Sequence, residues 1–250
     1  MIAIVTAMPE ERTAVVKLLK GVRHEELAAL KLYYGILNGQ EVCVAEGGMG
    51  MAAAEAAAQL LAGHKPAVII SAGYCGAVRP GPAVGDLVVC QALFTREGDQ
   101  LRQLPLHDDG PYVAEDLAAT LQRHGLRAWQ GCFITTSAIV TKSALAASLP
   151  REMPHPVLEM ESAAVYQVAV TAGIPFIGLR AISDDAAEEL QFSLGEICGS
   201  NGRVAIGRVL WLLGRRPRLL GQFLRLAAGS AKAGKSLGRA LETILAGADR

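Results

Sequence analysis

The side chains in this sequence that are best suited to chemistry are carboxylates that follow short apolar segments. Glu159 and Glu161 flank Met160 in the segment VLEMES, and Asp184 and Asp185 come at the end of LRAISDD. Burial or a neighbouring carboxylate raises the pKa of a carboxyl group, so such a group can exchange a proton near neutral pH. The alternative is that these carboxylates are solvated, or that they only stabilise the start of a helix.

Two further segments of the same kind lie earlier in the chain. Glu10 and Glu11 follow the apolar run IAIVT, and the glycine-rich segment 47–50, GGMG, follows the run EVCVAE. In open α/β sheets, ligands bind at the carboxyl ends of the strands. If the apolar runs are strands, these acidic and glycine-rich turns meet at one rim of the sheet. Each segment is a weak signal alone, and together they predict one binding site.

The elements that would position these residues alternate between strands and helices. The predicted strands are 2–6, 67–73, 85–94, 131–136, 156–158 and 175–183, with a hairpin over 32–48 that turns at Asn38-Gly39. The predicted helices are 9–20, 49–63, 113–124, 142–149 and 162–173. Such alternation indicates an α/β domain around a mixed, largely parallel sheet. The polar segment 96–111 is predicted to be a loop and a candidate lid.

Composition limits the possible classes of protein. The chain has 250 residues and is 51% hydrophobic, which suits one large α/β domain with an extension. Five scattered cysteines without paired spacing predict reduced thiols rather than disulfides or a zinc site. The five histidines lack metal-ligand spacing, no apolar run is long enough to span a membrane, and IAIVT is typical of a first strand rather than a signal peptide. We therefore expect a soluble, cytoplasmic protein without a metal.

Two glycine-rich motifs suggest other chemistries that their surroundings do not support. GGMGMAA contains G-x-G-x-x-A, but the position about 20 residues further on, where a dinucleotide site has an acidic residue, falls in AVIIS. GYCGA, residues 73–77, is only loosely similar to the G-x-S-x-G nucleophile turn, and no histidine has an evident role beside it. We therefore interpret Cys75 as a small residue in a tight glycine turn.

Six motifs occur in an order and at a spacing that resemble a known superfamily. They are IAIVTAMPEE, GGMG, SAGYCGAV, VGDLVV, VLEMES and LRAISDDA. Over about residues 1–200 the chain resembles the nucleoside phosphorylase/nucleosidase superfamily, and most of all its methylthioadenosine/S-adenosylhomocysteine nucleosidase branch. The resemblance implies a three-layer α/β/α fold with a central mixed sheet, often a distorted barrel, and cleavage of a ribosyl N-glycosidic bond. It also implies a homo-oligomer that binds a small nucleoside without a cofactor.

The resemblance assigns roles to individual residues. Asp184 corresponds to the general acid that protonates N7 of the departing purine, and Glu11 to the glutamate that orients the attacking water. Glu161 corresponds to the acceptor of the ribose hydroxyls, Met160 to the apolar contact beneath the sugar, and Glu159 to a supporting residue. The other residues expected to contact the substrate are Ser183, Gly48, Met49, Gly73, Tyr74, Ile139 and Val140.

The segment around GYCGA separates hydrolysis from phosphorolysis. Where phosphorylases of the superfamily carry an arginine and a serine that bind phosphate, this chain has Ser71 and Tyr74. An anion site without its arginine is weak, so hydrolysis is favoured, although Arg79 and Arg180 could supply charge from elsewhere. The alternatives are a phosphorylase that uses inorganic phosphate and a nucleoside-binding protein without turnover.

The base pocket departs from the nucleosidase pattern at two places. Tyr74-Cys75 replaces a usual Ser-Ala pair, and Ile139 stands where an aromatic residue commonly stacks on adenine. The pocket is therefore expected to be more aliphatic. Adenine remains the expected base because Asp184 lies in the adenine-type context RAISD.

Residues 203–250 differ from the rest of the chain in charge. They carry 10 Lys and Arg against only Glu242 and Asp249, whereas residues 1–202 carry 14 Lys and Arg against 22 acidic residues. We therefore divide the chain into a catalytic domain, 1–202, and a basic helical extension, 203–250, which has no counterpart in the minimal nucleosidase. Pro217 divides the extension into two helices.

The second of these helices is predicted to be amphipathic. Its apolar side chains are Leu219, Leu220, Phe223, Leu224, Leu226 and Ala227, and its polar ones are Arg218, Gln222 and Arg225. Such a helix docks on the domain or on a partner subunit, or it lies on an anionic membrane surface. Few aromatic residues argue against nucleic acid as the partner.

The extension also resembles that of hopanoid-associated members of the superfamily. These proteins act on adenosylhopane, a nucleoside whose 5′ side is a membrane lipid. The resemblance implies that the substrate is linked to a lipid and that the extension contacts the inner surface of a membrane.

Overall fold

The computed structural model describes residues 1–27, 30–106, 112–138, 140–189, 196 and 206–246. Its strands are β1 Ile2–Thr6, β2 Lys20–Leu27, β3 Leu30–Leu37, β4 Gln40–Glu46, β5 Val68–Ala77, β6 Leu87–Glu97, β7 Gln100–Leu104, β8 Ala128–Thr136, β9 Val157–Glu159 and β10 Phe176–Asp184. Its helices are α1 Pro9–Val16, α2 Met51–Ala62, α3 Ala114–Arg123, α4 Lys142–Ser148, α5 Ser162–Thr171, α6 Ile206–Arg215 and α7 Leu220–Ala246, with a 3₁₀ turn over Pro217–Leu219.

The ten strands form one mixed sheet. Its order is β10-β6-β8-β9-β5-β1-β4-β3-β2, and β7 pairs with β6. Because β10 also pairs with β5, the strands β5, β10, β6, β8 and β9 close into a small barrel. β5 lies parallel to both β1 and β10. The carboxyl ends of these three strands therefore meet at one rim of the sheet.

Helices cover both faces of the sheet. α2 and α5 pack on one face around buried side chains that include Leu61 and Val165. α1, α3 and α7 pack on the other face, where Leu237 and Leu241 of α7 are fully buried. β5 is buried at every position, as expected of a strand that is covered on both faces. The predicted three-layer α/β/α fold with a mixed sheet is confirmed.

Local turn chemistry explains the hairpin of β3 and β4. Asn38 (φ 50°) and Gly39 (φ 82°) both adopt left-handed conformations, which a type I′ turn requires. The strands pair in register up to Leu37 and Gln40, which flank this turn. The predicted hairpin is therefore confirmed.

The edge strand β2 is not predicted by the sequence pattern. The helix predicted to run to Lys20 ends at Val16, and Lys20 begins β2, which pairs with β3 at the edge of the sheet. Every residue of β2 is exposed, so the strand lacks the apolar face that identifies a strand in a sequence. Only its pairing with β3 defines it.

Two segments predicted to be turns or loops are strands. GYCGA is the second half of β5, and Cys75 is buried inside the sheet rather than in a glycine turn. Part of the predicted 96–111 lid forms β7, which pairs with β6 across a turn at Gly98 (φ 58°). Residues 107–111 lie outside the described residues. The other described cysteines, Cys43, Cys90 and Cys132, are also buried free thiols, and Cys198 lies outside the described residues.

The extension forms two helices on either side of Pro217, as predicted. Its predicted amphipathic face is divided, however. Leu219 is buried, whereas Leu220 and Leu224 are exposed. Gln222, predicted to lie on the polar face, is buried and donates to the carbonyl oxygen of Glu189 (2.7 Å). None of the helices in the described ranges combines the length and the hydropathy that a membrane-spanning segment needs.

Candidate active site

Arg180 is the centre of a buried charged cluster where β5 and β10 pair. The register of β10 places Arg180 opposite Gly73 of β5. Its Nη2 lies within hydrogen-bonding distance of Glu159 Oε2 (2.6 Å), Ser162 Oγ (2.9 Å) and Ser71 Oγ (3.1 Å). A buried arginine is costly unless it is paired. These contacts therefore fix β5, β9, β10 and the start of α5 relative to one another.

Glu159, at the end of β9, is bound entirely by protein groups. Its Oε1 accepts a hydrogen bond from Thr135 Oγ1, and its Oε2 accepts the N–H groups of Glu161 (3.1 Å) and Ser162 (2.8 Å) besides Arg180. Burial alone would raise the pKa of Glu159, but Arg180 and these hydrogen bonds outweigh burial and lower that pKa. Glu159 therefore acts as an ionised support for Arg180 and for the start of α5.

Glu161 turns instead toward the glycine-rich segment before α2. Its Oε1 accepts the N–H of Gly50 (2.9 Å), and its Oε2 lies 3.8 Å from Nη2 of Arg180. Burial and the neighbouring Glu159 raise the pKa of Glu161 to about 7, against the opposing effect of Arg180. The carboxyl group of Glu161 is thus able to change its protonation near neutral pH.

Glu11 reaches the same place from the first turn of α1. Its Oε2 accepts the N–H groups of Ala7 and Met8 (both 2.9 Å), and its Oε1 accepts the N–H of Tyr74 (2.7 Å). Burial raises the pKa of Glu11 more than Arg180 and these hydrogen bonds lower it. The three backbone donors hold the carboxyl group in one orientation.

Glu11, Glu161 and Arg180 line one narrow cleft. The other residues that line it are Val5, Thr6, Ala7, Ser71, Ala72 and Gly73. Gly73 is required there because a Cβ atom at this position would lie 2.7 Å from Oε1 of Glu11. The cleft therefore presents two carboxyl groups and one guanidinium group to whatever occupies it.

A second group of side chains lies further along the same two strands. Asp184 is paired with Gly76, three residues beyond Gly73 and so about 10 Å along β5. Its Oδ1 lies 2.6 Å from Ser183 Oγ, and its Oδ2 forms an ion pair with Nζ of Lys142, the first residue of α4. A Cβ atom at Gly76 would lie 2.7 Å from both Asp184 Oδ2 and Lys142 Cε. Glycine at this position makes room for the ion pair.

The turn before α2 links the cleft to the extension. The N–H of Gly48 donates to the carbonyl oxygen of Ala7 (3.1 Å). Met49 packs against apolar side chains of α6 and α7. Glu161 accepts a hydrogen bond from Gly50 of this turn, and Met160 precedes Glu161 in the chain. Met160 is half-buried, and its N–H donates to Glu161 Oε2 (3.3 Å).

Of the other predicted contacts, the Tyr74 ring and Val140 lie away from the cleft. Tyr74 donates its N–H to Glu11, but its ring packs in the core, where its hydroxyl lies beside Gly234 of α7. Val140 packs against a separate apolar cluster near α4. Ile139 lies outside the described residues, so its contact with the base stays a prediction.

The two arginines considered as sources of charge have different positions. Arg180 is the cation of the cleft. Arg79 donates instead to carbonyl oxygens in the last turn of α4 and just after it, those of Ala146, Leu149, Pro150 and Arg151. Within the described ranges, no group of three or more His, Cys, Asp or Glu side chains is arranged to hold a metal ion.

Sequence reasoning misses Lys142, Thr135 and Ser162. The one signal for Lys142 is that it is the only lysine between Lys65 and Lys232. Threonine and serine are too frequent in helix starts and strand ends for their types to identify them. Their role depends on the pairing of β8 with β9, which brings Thr135 opposite Glu159.

A family model described as the phosphorylase superfamily matches residues 1–210 of the chain. Among solved structures, the chain is similar to the S-adenosylhomocysteine nucleosidase from Streptococcus pyogenes in complex with 5-methylthiotubericidin. The TM-score is 0.74 and the identity 23%, over 98% of this chain and 95% of that one. The nucleosidase for 5′-methylthioadenosine and S-adenosylhomocysteine from Campylobacter jejuni matches with a TM-score of 0.70 at 20% identity, over 98% of each chain.

Futalosine hydrolase of Helicobacter pylori strain 26695 is also similar, with a TM-score of 0.67 at 18% identity over 98% of this chain and 96% of that one. At such identities, the three structures establish the shared fold. Because the matches span nearly the whole chain, they include most of residues 203–250. The prediction that this extension has no counterpart in nucleosidases is therefore wrong for α7, which packs in the main core.

Proposed function

The chain belongs to the phosphorylase superfamily, and from this premise we propose that it is a purine nucleosidase that hydrolyses the N-glycosidic bond of a 5′-modified adenine nucleoside. The observation that carries the proposal is the cleft in which the carboxyl groups of Glu11 and Glu161 flank Arg180, with Asp184 further along the same strands. Cleavage of a purine–ribose bond leaves positive charge on the sugar and negative charge on the base. The carboxyl groups of Glu11 and Glu161 suit the positive charge on the sugar, and Asp184 suits the negative charge on the base.

At the ribose end, Glu161 accepts hydrogen bonds from the ribose hydroxyls, and Met160 contacts the sugar. Glu11 orients the water that attacks C1′ and takes up a proton from it. Its three backbone donors support this role because they fix the direction in which the carboxylate accepts. A raised pKa supports it too, because a general base works best when its pKa approaches the working pH.

At the base end, Asp184 passes a proton to N7 of the purine. The purine then leaves as a neutral molecule rather than as an anion. Ser183 supports this role, because its hydroxyl lies within hydrogen-bonding distance of both Asp184 Oδ1 (2.6 Å) and the carbonyl oxygen of Cys75 (3.2 Å). One side of the carboxyl group of Asp184 is thereby oriented.

The charges around Arg180 favour water over phosphate as the nucleophile. Its guanidinium group is already bound by Glu159, and Glu161 lies 3.8 Å from it. A phosphate dianion in the cleft would approach two further carboxyl groups, Glu11 and Glu161, with this one shared cation to attract it. A water molecule meets no such repulsion.

Free adenine released from 5′-methylthioadenosine, with and without phosphate, tests the proposal. We expect release without phosphate, and its loss in Glu11→Gln but not in Glu10→Gln, the matched variant of the exposed neighbour. Cleavage only with phosphate would make the protein a phosphorylase. Binding of adenine nucleosides without any cleavage would make it a nucleoside-binding protein, and either result would contradict hydrolysis.

We also propose that the 5′ group of the substrate is a lipid, as in adenosylhopane. Gly50, which donates to Glu161, is preceded by Met49, and Met49 packs against an apolar cluster of the extension. The side chains in that cluster are Val209, Leu212, Leu213, Leu219, Phe223 and Leu226. A ribose held by Glu161 would therefore have apolar surface of α6 and α7 nearby, which suits an apolar 5′ group.

Beside this cluster the extension exposes large apolar side chains among arginines. Trp211, Leu220 and Leu224 are 57%, 52% and 63% exposed. The guanidinium group of Arg215 lies 4.5 Å from the centre of the Trp211 ring, and Arg218 is exposed close by in the sequence. Exposed apolar side chains with flanking arginines suit an anionic membrane surface. We propose that the extension contacts the inner surface of the membrane, as the resemblance to hopanoid-associated proteins implies.

Flotation of the full chain with vesicles of phosphatidylcholine and phosphatidylglycerol tests the membrane contact. We expect binding that is lost in the double variant Trp211→Ser, Leu224→Ser and kept in Val170→Ser, which replaces an exposed side chain of α5. Removal of the extension is unsuitable because Leu237 and Leu241 belong to the core. Equal flotation of both variants, or none with the unmodified chain, would contradict the membrane contact.

The superfamily resemblance also predicts a homo-oligomer. Light scattering of the purified protein, with and without vesicles, measures its mass. A monomer under both conditions would contradict that prediction without affecting the proposed reaction.

A further inference from the structure

Lys142 is a buried lysine whose ammonium group contacts the proposed acid, Asp184. It is 5% exposed, and its Nζ forms an ion pair with Asp184 Oδ2. The same Nζ lies 2.6 Å from the carbonyl oxygen of Asp185 and 3.4 Å from that of Asp184. A lysine is rarely so buried unless it is paired. All three donor directions of this ammonium group therefore face the end of β10.

The position of α4 does not depend on this ammonium group. At the start of α4, the carboxylate of Glu189 accepts the N–H groups of Lys142 (3.0 Å) and Ser143 (2.7 Å). At its end, Arg79 donates to the carbonyl oxygens of Ala146 (3.0 Å) and Leu149 (2.7 Å). Both ends of α4 are thus held by other groups, which leaves the side chain of Lys142 available for a different role.

The strand opposite this pair is shaped to admit it. Gly76 of β5 has no Cβ, and one built there would lie 2.7 Å from both Asp184 Oδ2 and Lys142 Cε. The two sides of the carboxylate of Asp184 then face two different groups, the hydroxyl of Ser183 and the ammonium group of Lys142. An ionised carboxylate can only accept hydrogen bonds. To act as an acid, Asp184 must therefore receive a proton, and Lys142 is the cation in contact with it.

We infer that Lys142 is a positioning residue that supplies, through Asp184, the proton taken by the departing purine. The inference rests on the proposed function. As the bond from C1′ to N9 breaks, its electron pair passes to the purine. A proton passes from the ammonium group of Lys142 to the carboxylate of Asp184 and from there to N7, which leaves an amine on Lys142 and an ionised carboxylate on Asp184. The water that attacks C1′ gives its proton to Glu11, and exchange with solvent restores both groups.

The surroundings of the pair bear on its pH dependence. The charged and titratable residues around it are Asp185, whose carbonyl oxygen accepts from Lys142 Nζ, and Glu189, whose carboxylate accepts the N–H of Lys142. Cys75 of β5 lies on the other side, with Glu159 and Arg180 deeper between the strands. Burial raises the pKa of Cys75 so far that its thiol stays protonated. The thiol of Cys75 is therefore not a source of pH dependence at this end.

Two substitutions separate a source of protons from a source of charge. In Lys142→Arg the positive charge remains, but a guanidinium group does not release its proton. We expect kcat to fall about 100-fold or more, with a much smaller change in KM.

In Lys142→Met, Asp184 must carry the proton by itself, so the decline of kcat at high pH should move toward acidic pH. Lys235→Met, at an exposed position of α7, is the matched control. A wild-type kcat in Lys142→Arg would overturn the inference.

A measurement that needs no turnover keeps this test separate from that of the proposed function. Carbon-13 NMR of the carboxyl group of Asp184, assigned by its loss in Asp184→Asn, follows where the proton lies. If the two groups share a proton, the carboxyl signal of Asp184 should change with pH in the wild type in a way that is absent in Lys142→Arg. The same titration in both proteins would overturn the inference even if the wild type cleaves adenosine derivatives. If it cleaves none, the proposed function fails and the NMR result still decides whether the two groups share a proton.

Discussion

The ribose end and the base end of the proposed site differ in their balance of charge. At the ribose end, three carboxyl groups, those of Glu11, Glu159 and Glu161, surround the guanidinium group of Arg180. At the base end, Asp184 has Lys142 as a partner of its own. Fixed charges stabilise a reaction when they oppose the charge that develops. An excess of carboxyl groups near the sugar and a neutral pair near the base match the separation of charge in the proposed reaction.

The two ends also differ in what holds them. Backbone N–H groups hold the carboxyl groups of Glu11, Glu159 and Glu161. Within the described ranges, the groups at hydrogen-bonding distance from the carboxyl oxygens of Asp184 are the side chains of Ser183 and Lys142. Backbone donors move only with the fold, whereas side chains can change rotamer. Backbone groups thus orient the carboxyl groups of the ribose end, and neighbouring side chains orient that of Asp184.

The largest effect is expected from a change that removes the acid of the base end. In Asp184→Asn, kcat for adenine release should fall by about 100-fold to 10,000-fold, because the amide cannot pass on a proton. Asp185→Asn, at the exposed neighbour, should retain activity. Equal losses in the two variants would remove the distinction between the ends, because the effect would then come from the turn and not from the acid.

Removal of the cation at the ribose end should affect folding. Arg180→Met leaves Glu159 fully buried without its partner, which should lower the free energy of unfolding by about 3–5 kcal/mol. Arg127→Met, which breaks an ion pair between an exposed arginine and Asp86, should cost about 1 kcal/mol or less. Urea denaturation of both variants measures the difference. A small loss in Arg180→Met would mean that the ribose end is not held by this cluster.

A smaller effect is expected where α7 presses against the base end. A Cβ atom at Gly229 would clash with the carbonyl oxygen of Ser183, the neighbour of Asp184. Gly229→Ala should therefore cost about 1–3 kcal/mol of stability and lower adenine release. Gly221→Ala in the same helix meets only the end of the Arg225 side chain at 3.6 Å, and it should stabilise slightly. Thermal unfolding and activity of this pair of variants give the comparison.

The smallest effect concerns the pH dependence of stability at the ribose end. The pKa of Glu161 is raised from 4.5 to about 7, so the folded protein holds that proton more tightly than the unfolded chain. This contribution to stability is fully present below pH 4.5 and is lost as the pH rises through about 7. Between pH 6 and 8.5, the free energy of unfolding should therefore fall by on the order of 1 kcal/mol through this group.

Denaturation of the wild type and of Glu161→Gln at both pH values isolates this contribution. The decrease in stability with pH should be smaller in Glu161→Gln, because glutamine does not titrate. An equal decrease in the two proteins would place the titrating carboxyl group elsewhere.

The sequence predicts the fold well where the signals are local. Alternating strands and helices, the turn at Asn38-Gly39 and the break at Pro217 depend on neighbouring residues, and the structure has each of them. β2 escapes prediction because it is an exposed edge strand that only β3 identifies. The exposure of Leu220 and Leu224 is not predicted either, because the helical period alone does not indicate which apolar side chains pack against another element.

The site is predicted in its residue types more than in its contacts. Because both follow predicted strands, the sequence predicts that Glu11 and Glu161 lie at one rim of the sheet, and in the structure both line the cleft. From the sequence, the glycines of GYCGA predict a turn, because glycine is common in turns. In the structure, Gly73 and Gly76 instead leave space for Glu11 and for the Lys142–Asp184 pair. Such contacts join residues far apart in the chain, and no local pattern indicates them.

The shared strand β5 has a consequence for how this chain can change. Glu11 lies against Gly73 and Asp184 against Gly76, so the number of residues between the two glycines sets the distance between the ribose end and the base end of the proposed site. A single residue inserted or deleted between them would reverse the face that one glycine presents relative to the other, and it would shift one end relative to the other. Natural variants of different length should therefore place their insertions in the surrounding loops and keep this stretch of β5 the same length.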